Sequence, residues 1–394
     1  MTLQVVKYPI KNDKKSLFPY HLKFYSFSTA CMSLVDESAR VHRILCQQHR
    51  CMPVEDPSEA DFIVISTCAI SKESALNSIN NIRKLGLTYG KKLYIIGCLV
   101  NATERKLIED NILFDIKFIS ADDILEEVLY YDKSFNIKCI NRCKPFWLKN
   151  LDKKIIKLNK LKDKKAEKHG FRTDGLIFSY WPKNFETIRL SKGCNKKCSY
   201  CAIPNNRGEY IENKFENIKN QIDNTVSNNL LLIGENIGQH SYFHAILTYA
   251  IYKNKKLMLR YLEPEYANKL KLIKSINQIS YVGIPIQSGS YKVLRKMNRY
   301  HNIKYVKETF KWLKKQGIFT GTSILLSHPT EKWYDYLKTV WFIISTPLDF
   351  ISFQNFSPRE GTPDWKYYNW NSNSTKNKIK YKIFDYIVKI KGWF

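Results

Sequence analysis

The sequence predicts an α/β protein in two parts: a small parallel, Rossmann-like α/β domain over residues 20–135, then a partial (β/α)6 barrel over 183–365. Strand-like apolar runs alternate with helix-like segments in both parts, which is typical of parallel sheets. The second part offers six strands in roughly 170 residues, whereas a closed eight-fold barrel needs about 250, so an open barrel is expected. A chain of 394 residues is long enough for two cores.

The first part begins with a strand-like run and then repeats strand and helix. Its second strand carries a β-branched run that is typical of a buried strand. Ser71 is a candidate N-cap for the following helix and Gly86 a candidate stop. Strands are predicted at 23–28, 61–66, 93–96 and 114–119, and helices at 34–49, 71–85, 103–110 and 121–130.

Three cysteines of this part each come just after a predicted strand: Cys31, Cys68 and Cys98. The carboxyl ends of parallel strands form one edge of a sheet, and ligands bind there. The three cysteines could therefore meet and hold a second metal cluster. They could equally be small buried core residues, as free cysteine often is.

The second part repeats the alternation after residues 136–182, which are predicted to be a basic linker. The lysine-rich segment 144–168 could contact phosphates or be a solvated connector. Strands are predicted at 187–190, 230–233, 257–262, 281–286, 319–326 and 350–356, and helices at 215–227, 242–252, 265–276, 303–316 and 331–344. Residues 366–394 are predicted to be a basic C-terminal tail.

A compact cysteine triplet follows the first strand of the barrel. Cys194, Cys198 and Cys201 have the spacing C-x3-C-x2-C. Three thiolates at this spacing can hold three corners of a [4Fe–4S] cube and leave one iron open to a ligand. The alternative is structural zinc, but zinc sites usually pair two C-x2-C knuckles or one knuckle with two histidines, and no second knuckle occurs.

The charge balance points to a polyanionic partner. The net charge is +28, from 64 Lys and Arg against 36 Asp and Glu, which favours nucleic acid; a compositional bias toward lysine is the alternative. No apolar signal segment is visible near Met1, and the longest apolar run, 340–344, is too short to cross a bilayer. A cytoplasmic protein is expected, in which ten cysteines serve as ligands or free thiols rather than disulfides.

These motifs, in this order, resemble the radical-SAM methylthiotransferases over residues of about 20 to 365. The strongest similarity is the segment from Cys194 to Gly208. Four further segments are similar: 231–237, 284–299, 356–363, and the upstream cysteines at 68 and 98.

The resemblance implies two [4Fe–4S] clusters and S-adenosylmethionine (SAM) as cofactors. The Cys194, Cys198 and Cys201 cluster would bind SAM at its open iron, and one electron would split SAM to give a 5′-deoxyadenosyl radical. The second cluster, on Cys31, Cys68 and Cys98, would carry the sulfur, and a second SAM would give the methyl group. The implied SAM contacts are Tyr200, Gly234, Glu235, Gln287 and Ser288. Glu235 could instead be a surface carboxylate, and Gln287 and Ser288 could shape a turn.

The resemblance further implies tRNA as the substrate, at a hypermodified adenosine next to the anticodon, with a flavodoxin or ferredoxin as electron donor, no membrane partner and a monomeric enzyme. A protein or peptide side chain is the alternative substrate, and a non-catalytic iron–sulfur protein is a second alternative. The sequence departs from the family at Ala30, Leu34 and the turn 327–332. The RNA-gripping TRAM barrel that the family normally adds is not expected in this chain.

Overall fold

The computed structural model describes residues 17–29, 37–38, 40–42, 44–69, 71–109, 114–120, 123, 171–172, 181–182, 185–371 and 374–391. Two parallel sheets organise these residues, as the sequence predicts. The predicted helix over 121–130, apart from residue 123, and most of the predicted linker over 136–182 lie outside the described residues.

The N-terminal sheet has five parallel strands in the order β2-β1-β3-β4-β5. Four of them match predicted strands closely, and the two-residue edge strand β2 was too short to predict. The strands are β1 (Lys23–Ser28), β2 (Met52–Pro53), β3 (Phe62–Thr67), β4 (Lys92–Gly97) and β5 (Ile116–Phe118).

Helix α1 (Lys72–Tyr89) covers this sheet and begins where predicted. The Ser71 side chain accepts a hydrogen bond from the backbone of Ser74 at 3.1 Å and so caps the helix. The predicted stop at Gly86 is wrong: the helix continues through it and ends at Gly90, which has φ 58°. Gly86 serves packing instead, because a Cβ there would lie 2.5 Å from the ring of Phe114.

The other predicted N-terminal helices are shorter or irregular. The helix predicted at 34–49 ends in a π-helical turn, Ile44–Gln48. The helix predicted at 103–110 is a 3-10 turn, Thr103–Arg105, followed by the short helix α2 (Lys106–Glu109). A further 3-10 turn, Cys98–Asn101, directly follows β4.

The second sheet has six parallel strands in the order of the chain and is open, which confirms the partial barrel. Two antiparallel pairs accompany it, one before the sheet and one after its first strand. The strands from the linker onward are β6 (Phe171–Arg172), β7 (Trp181–Pro182), β8 (Phe185–Arg189), β9 (Ser191–Lys192), β10 (Ile211–Glu212), β11 (Asn229–Ile233), β12 (Lys256–Leu259), β13 (Ile279–Gly283), β14 (Phe319–Leu326) and β15 (Phe350–Asn355), of which β8 and β11–β15 form the barrel.

Helices cover the outer face of the barrel. A 3-10 segment, Pro264–Leu272, stands where a regular helix was predicted, and the short helix after β13 was not predicted. The helices are α3 (Ile203–Arg207), α4 (Phe215–Asn224), α5 (Phe243–Tyr252), α6 (Tyr291–Lys296), α7 (Ile303–Lys315), α8 (Trp333–Ser345) and α9 (Thr375–Lys391).

The two faces of the barrel strands pack separately, as alternation along a strand requires. Along β11, Leu230 and Leu232 join the large core under the helices. Leu231 and Ile233 face inward and form a smaller apolar cluster with Met258 and its neighbours. The inner cluster fills part of the barrel interior.

Helix α9 belongs to the barrel and corrects the view of the C-terminal residues as a basic tail. Phe384 and Val388 are buried in the large core. Lys380 is 1% exposed and its Nζ lies 2.8 Å from Glu331 Oε2. This lysine therefore cannot contact phosphates, although Lys376, Lys378, Lys382 and Lys389 on the same helix are exposed.

Candidate functional site

The three clustered cysteines lie in the loop that begins after β9, at the carboxyl end of the first barrel strand. Gly193 opens this loop with φ 73°, and a Cβ there would lie 2.2 Å from the carbonyl oxygen of Glu209, so only glycine fits. The backbone N–H of Ser199 donates to the carbonyl of Met297 at 3.1 Å. The end of α6 therefore holds the loop in place.

Burial controls the protonation of these thiols. It is the main reason that the pKa of Cys194 is raised to about 11 and that of Cys201 to about 12; a smaller part of each increase comes from the charge of Cys198. Among the described residues no three His, Cys, Asp or Glu side chains converge on a single metal ion; an iron–sulfur cube differs because each thiolate binds its own iron.

Glu235 lies beside this loop, just past the end of β11. Its side chain is 5% exposed, so the interpretation as a surface carboxylate is wrong. Its Oε1 lies 3.6 Å from Arg189 Nη1 and 3.4 Å from Arg207 Nε. Its Oε2 and the neighbouring Asn236 Oδ1 are buried with no hydrogen-bond partner within the described part of the chain. Two buried acceptors without donors fit a cationic amino group.

Gly234 allows the end of β11 to lie close to Ser191. A Cβ there would lie 2.8 Å from Ser191 Oγ. A side chain there would therefore force either Ser191 or the strand end that carries Glu235 to shift.

The remaining predicted SAM contacts are Tyr200, which packs in an apolar cluster, and Gln287 and Ser288, which lie together in a turn. Tyr200 packs against a small apolar cluster that includes Val293 and Phe356, and burial raises its pKa well above the usual value. Gln287 has φ 69° and its backbone pairs with β14. Ser288 is fully buried, lies 3.3 Å from Thr339 Oγ1 and accepts from the backbone of Ser290. These contacts favour the turn-shaping role for Ser288.

Two N-terminal cysteines directly follow neighbouring strands, as predicted: Cys68 comes after β3 and Cys98 after β4. The Ser78 hydroxyl contacts the backbone N–H and carbonyl of Cys68. Thr29, at the end of β1, lies 2.9 Å from the same hydroxyl. Cys31 lies outside the described residues.

Helix α3, which follows Cys201, contacts the loops that carry these cysteines. Asn206 Nδ2 donates to the carbonyl of Ala69 at 3.3 Å, and Asn101 Nδ2 donates to the carbonyl of Asn206 at 3.3 Å. Arg207 Nη1 donates to Glu37 Oε2 at 2.6 Å. The cysteines after β3 and β4 are thus brought to the side of the barrel loop that holds the other triplet.

Sequence reasoning missed Arg207 and Glu37 as functional candidates. Burial opposes the charge on Arg207, but Glu37, Glu235 and, beyond them, Cys98 outweigh it and raise the pKa of the guanidinium. In the sequence, Arg207 stands out only as part of the segment from Cys194 to Gly208. Its role depends on residues far away in sequence, which no local pattern indicates.

Family models match both parts of the chain. The model described as "Radical SAM superfamily" matches residues 188–343, and "Uncharacterized protein family UPF0004" matches 23–118. The ribosomal protein uS12 methylthiotransferase RimO of Clostridium botulinum is 27% identical over 333 residues, which cover 78% of this chain and 69% of that protein. The tRNA-2-methylthio-N(6)-dimethylallyladenosine synthase of Thermosipho africanus is 24% identical over 395 residues, covering 94% and 83%.

A solved structure gives a weak likeness: the radical S-adenosylmethionine methyltransferase TsrM from Kitasatospora setae, with TM-score 0.47, 10% identity, and coverage of 87% of this chain and 77% of that one. The matched domain and the open parallel barrel define a radical-SAM enzyme, which uses an iron–sulfur cluster and SAM. Within that class, the chain belongs to the radical-SAM methylthiotransferase family. No helix within the described ranges is long and apolar enough to cross a membrane.

Proposed function

We propose that this methylthiotransferase inserts sulfur and a methyl group at an unactivated C–H bond of a hypermodified adenosine next to the anticodon of tRNA. The observation that carries the choice of RNA is a basic surface beside the cysteine loop. Three exposed cations of α6 form it: Lys292, Arg295 and Lys296. Helix α6 contains no Asp or Glu, so nothing on the helix itself offsets this positive charge.

The same surface adjoins the loop of the clustered cysteines. Ser199 Oγ donates to the carbonyl of Lys296 at 3.1 Å, and Asn298 Nδ2 donates to the carbonyl of Lys197 at 2.6 Å. Lys197 is itself exposed. Phosphates bound along α6 would therefore lie beside the site where the chemistry is proposed. The net charge of +28 supports the same choice.

We propose two [4Fe–4S] clusters, one held by Cys194, Cys198 and Cys201 and one by Cys31, Cys68 and Cys98. When bound, the first supplies one-electron cleavage of SAM and hence a radical able to attack an unactivated C–H bond. The fit of the chain to SAM rests on the buried acceptors Glu235 Oε2 and Asn236 Oδ1.

The protein side chains then have defined tasks. Glu235 and Asn236 bind and orient the SAM amino group. Gly234 lets the end of β11, which leads into these two residues, lie close to Ser191. Tyr200, which is partly buried against an apolar cluster, closes one side of the site and limits the access of water. Arg189 and Arg207 contact the Glu235 carboxylate from one side and hold it in position. The electron comes from a flavodoxin or ferredoxin, and the chain acts as a monomer.

The test is nucleoside mass spectrometry of tRNA from a strain that lacks this gene, after excluding a redundant paralogue. We expect methylthio-adenosine to disappear and its precursor to accumulate. Complementation with the wild type restores the product, and complementation with Cys198→Ala does not. An unchanged methylthio-adenosine level in the deletion strain contradicts the proposal.

A protein side chain is the second candidate substrate, favoured by the similarity to the ribosomal protein methylthiotransferase. Binding of the purified protein to tRNA over a range of salt concentrations separates the two. An RNA enzyme loses affinity steeply with salt as phosphate contacts are broken. Salt-insensitive or undetectable tRNA binding, together with methylthiolation of the ribosomal protein in vitro, would favour the second candidate.

A further inference from the structure

Arg299 reaches the cysteine loop from the residues after α6. Its side chain is 2% exposed, and its Nη1 lies 3.6 Å from Cys198 Sγ. Its Nη2 donates to the carbonyl of Pro285 at 2.7 Å and to Glu263 Oε2 at 2.6 Å. The guanidinium is therefore held on two sides while one of its N–H groups points at a cysteine sulfur.

Glu263 partly neutralises this arginine. Besides Arg299, its Oε2 lies 3.3 Å from Lys196 Nζ, and that lysine lies 2.5 Å from Glu265 Oε2. Lys196 belongs to the loop itself, between Cys194 and Cys198. Two cations and two carboxylates thus form a chain that ends at the Cys198 sulfur. The Arg299–Glu263 end of this chain is buried, with side chains 2% and 10% exposed. It fixes the electrostatic field at this sulfur, because its charges cannot reorient freely.

We propose that Arg299 sets the reduction potential of the cluster bound through Cys198, and that Glu263 limits how far it does so. The inference rests on the proposed binding of a cluster by the Cys194, Cys198 and Cys201 triplet. Reduction adds one electron, supplied by a flavodoxin or ferredoxin, and makes the site more negative by one charge. A positive hydrogen-bond donor at a ligand sulfur stabilises that added charge and makes the potential less negative. The carboxylate of Glu263 opposes this effect.

A purely structural role for the same contacts makes a different prediction. If Arg299 only ties the loop to Pro285 and Glu263, removing either partner loosens the loop and affects the cluster in the same way. An electrostatic role predicts opposite effects, because Arg299→Gln removes a positive charge and Glu263→Gln removes a negative one. The two substitutions therefore separate the roles.

The experiment is a potentiometric titration followed by electron paramagnetic resonance on anaerobically reconstituted protein. Cys31, Cys68 and Cys98 are replaced by alanine, so that one cluster is observed. We expect a more negative potential for Arg299→Gln and a less negative one for Glu263→Gln. Lys304→Gln, which removes an exposed charge from helix α7, should leave the potential unchanged.

Shifts in the same direction for Arg299→Gln and Glu263→Gln, or no shift in either, overturn the inference. If Arg299→Gln holds no cluster, Glu263→Gln and Arg299→Lys decide: lysine keeps the charge, so its potential should stay close to that of the wild type. Failure of the cluster assignment itself would look different. In that case replacing Cys194, Cys198 and Cys201 by alanine would leave the iron content unchanged.

Discussion

Arg207 and Glu37 form a buried ion pair that joins the barrel to the N-terminal unit. Arg207 Nη1 lies 2.6 Å from Glu37 Oε2, and the two side chains are 4% and 5% exposed. Arg207 also lies 3.4 Å from Glu235 through its Nε. One guanidinium thus contacts the proposed SAM-binding carboxylate and the unit that carries Cys68 and Cys98.

Breaking this pair should be costly. Glu37→Gln removes the carboxylate and leaves a buried arginine without its nearest partner, which typically costs about 3–5 kcal/mol. Urea unfolding measures the loss. Glu216→Gln is the matched control, because Glu216 is 71% exposed in its pair with Lys219 and should cost no more than about 1 kcal/mol. Equal effects of the two substitutions would contradict the account of Arg207 as a buried bridge.

Gly234→Ala tests the close approach at Glu235. The new Cβ would lie 2.8 Å from Ser191 Oγ, so the strand end must shift and SAM should bind at least about tenfold more weakly, a loss of about 1.4 kcal/mol. Adding Ser191→Ala removes the clashing oxygen and should recover much of the affinity. Equilibrium binding of SAM to the reconstituted protein measures both. A double variant no better than Gly234→Ala would show that the clash is not the cause.

His301 should make the protein less stable in acid. Burial, helped by the charges of Arg299 and Lys196, lowers its pKa from 6.5 to about 3. Between these two pH values the unfolded chain binds a proton that the folded protein does not, so this residue lowers stability as the pH falls below 6.5. His301→Gln should therefore lose less stability than the wild type between pH 7.5 and 5.0.

Urea midpoints at the two pH values provide the measurement. His244→Gln is the control, because His244 is exposed and its replacement should leave the acid sensitivity of the wild type in place. An acid sensitivity that His301→Gln does not reduce would show that His301 titrates normally in the folded protein.

Helix α9 should be essential to the stability of the barrel. Lys380→Ala leaves the Glu331 carboxylate buried without its cation, and burial already raises the pKa of that carboxyl. The expected loss is about 3–5 kcal/mol in the free energy of unfolding. The exposed neighbour Lys382→Ala should change it by less than about 0.5 kcal/mol. Similar, small losses for both would mean that α9 is only loosely attached.

The sequence predicted the strands of both sheets well, because the apolar residues of each strand are contiguous in the chain. Strand β1 and strand β14 have the predicted bounds, residues 23–28 and 319–326. The prediction of a helix stop at Gly86 was wrong, because the small size of this residue makes room for the ring of Phe114, which is distant in sequence. Local patterns show which segments are apolar, but they do not show which distant segment will pack against a given residue.

The candidate site also has residues that the local sequence could indicate and residues that it could not. The cysteine triplet and Glu235 could be identified because their spacing and their position after a strand are local properties. The ion pairs of Arg207 and Arg299 could not, since each joins residues that are far apart in the chain. The burial of Lys380 was missed for the same reason: a lysine in a basic segment gives no sign of a distant carboxylate.

The central claim is that two cysteine triplets hold two clusters. Iron and sulfide analysis after anaerobic reconstitution tests it directly. The wild type should contain about eight irons, and replacing either triplet by alanine should leave about four. About four irons in the wild type, retained when Cys31, Cys68 and Cys98 are replaced, would contradict the two-cluster account.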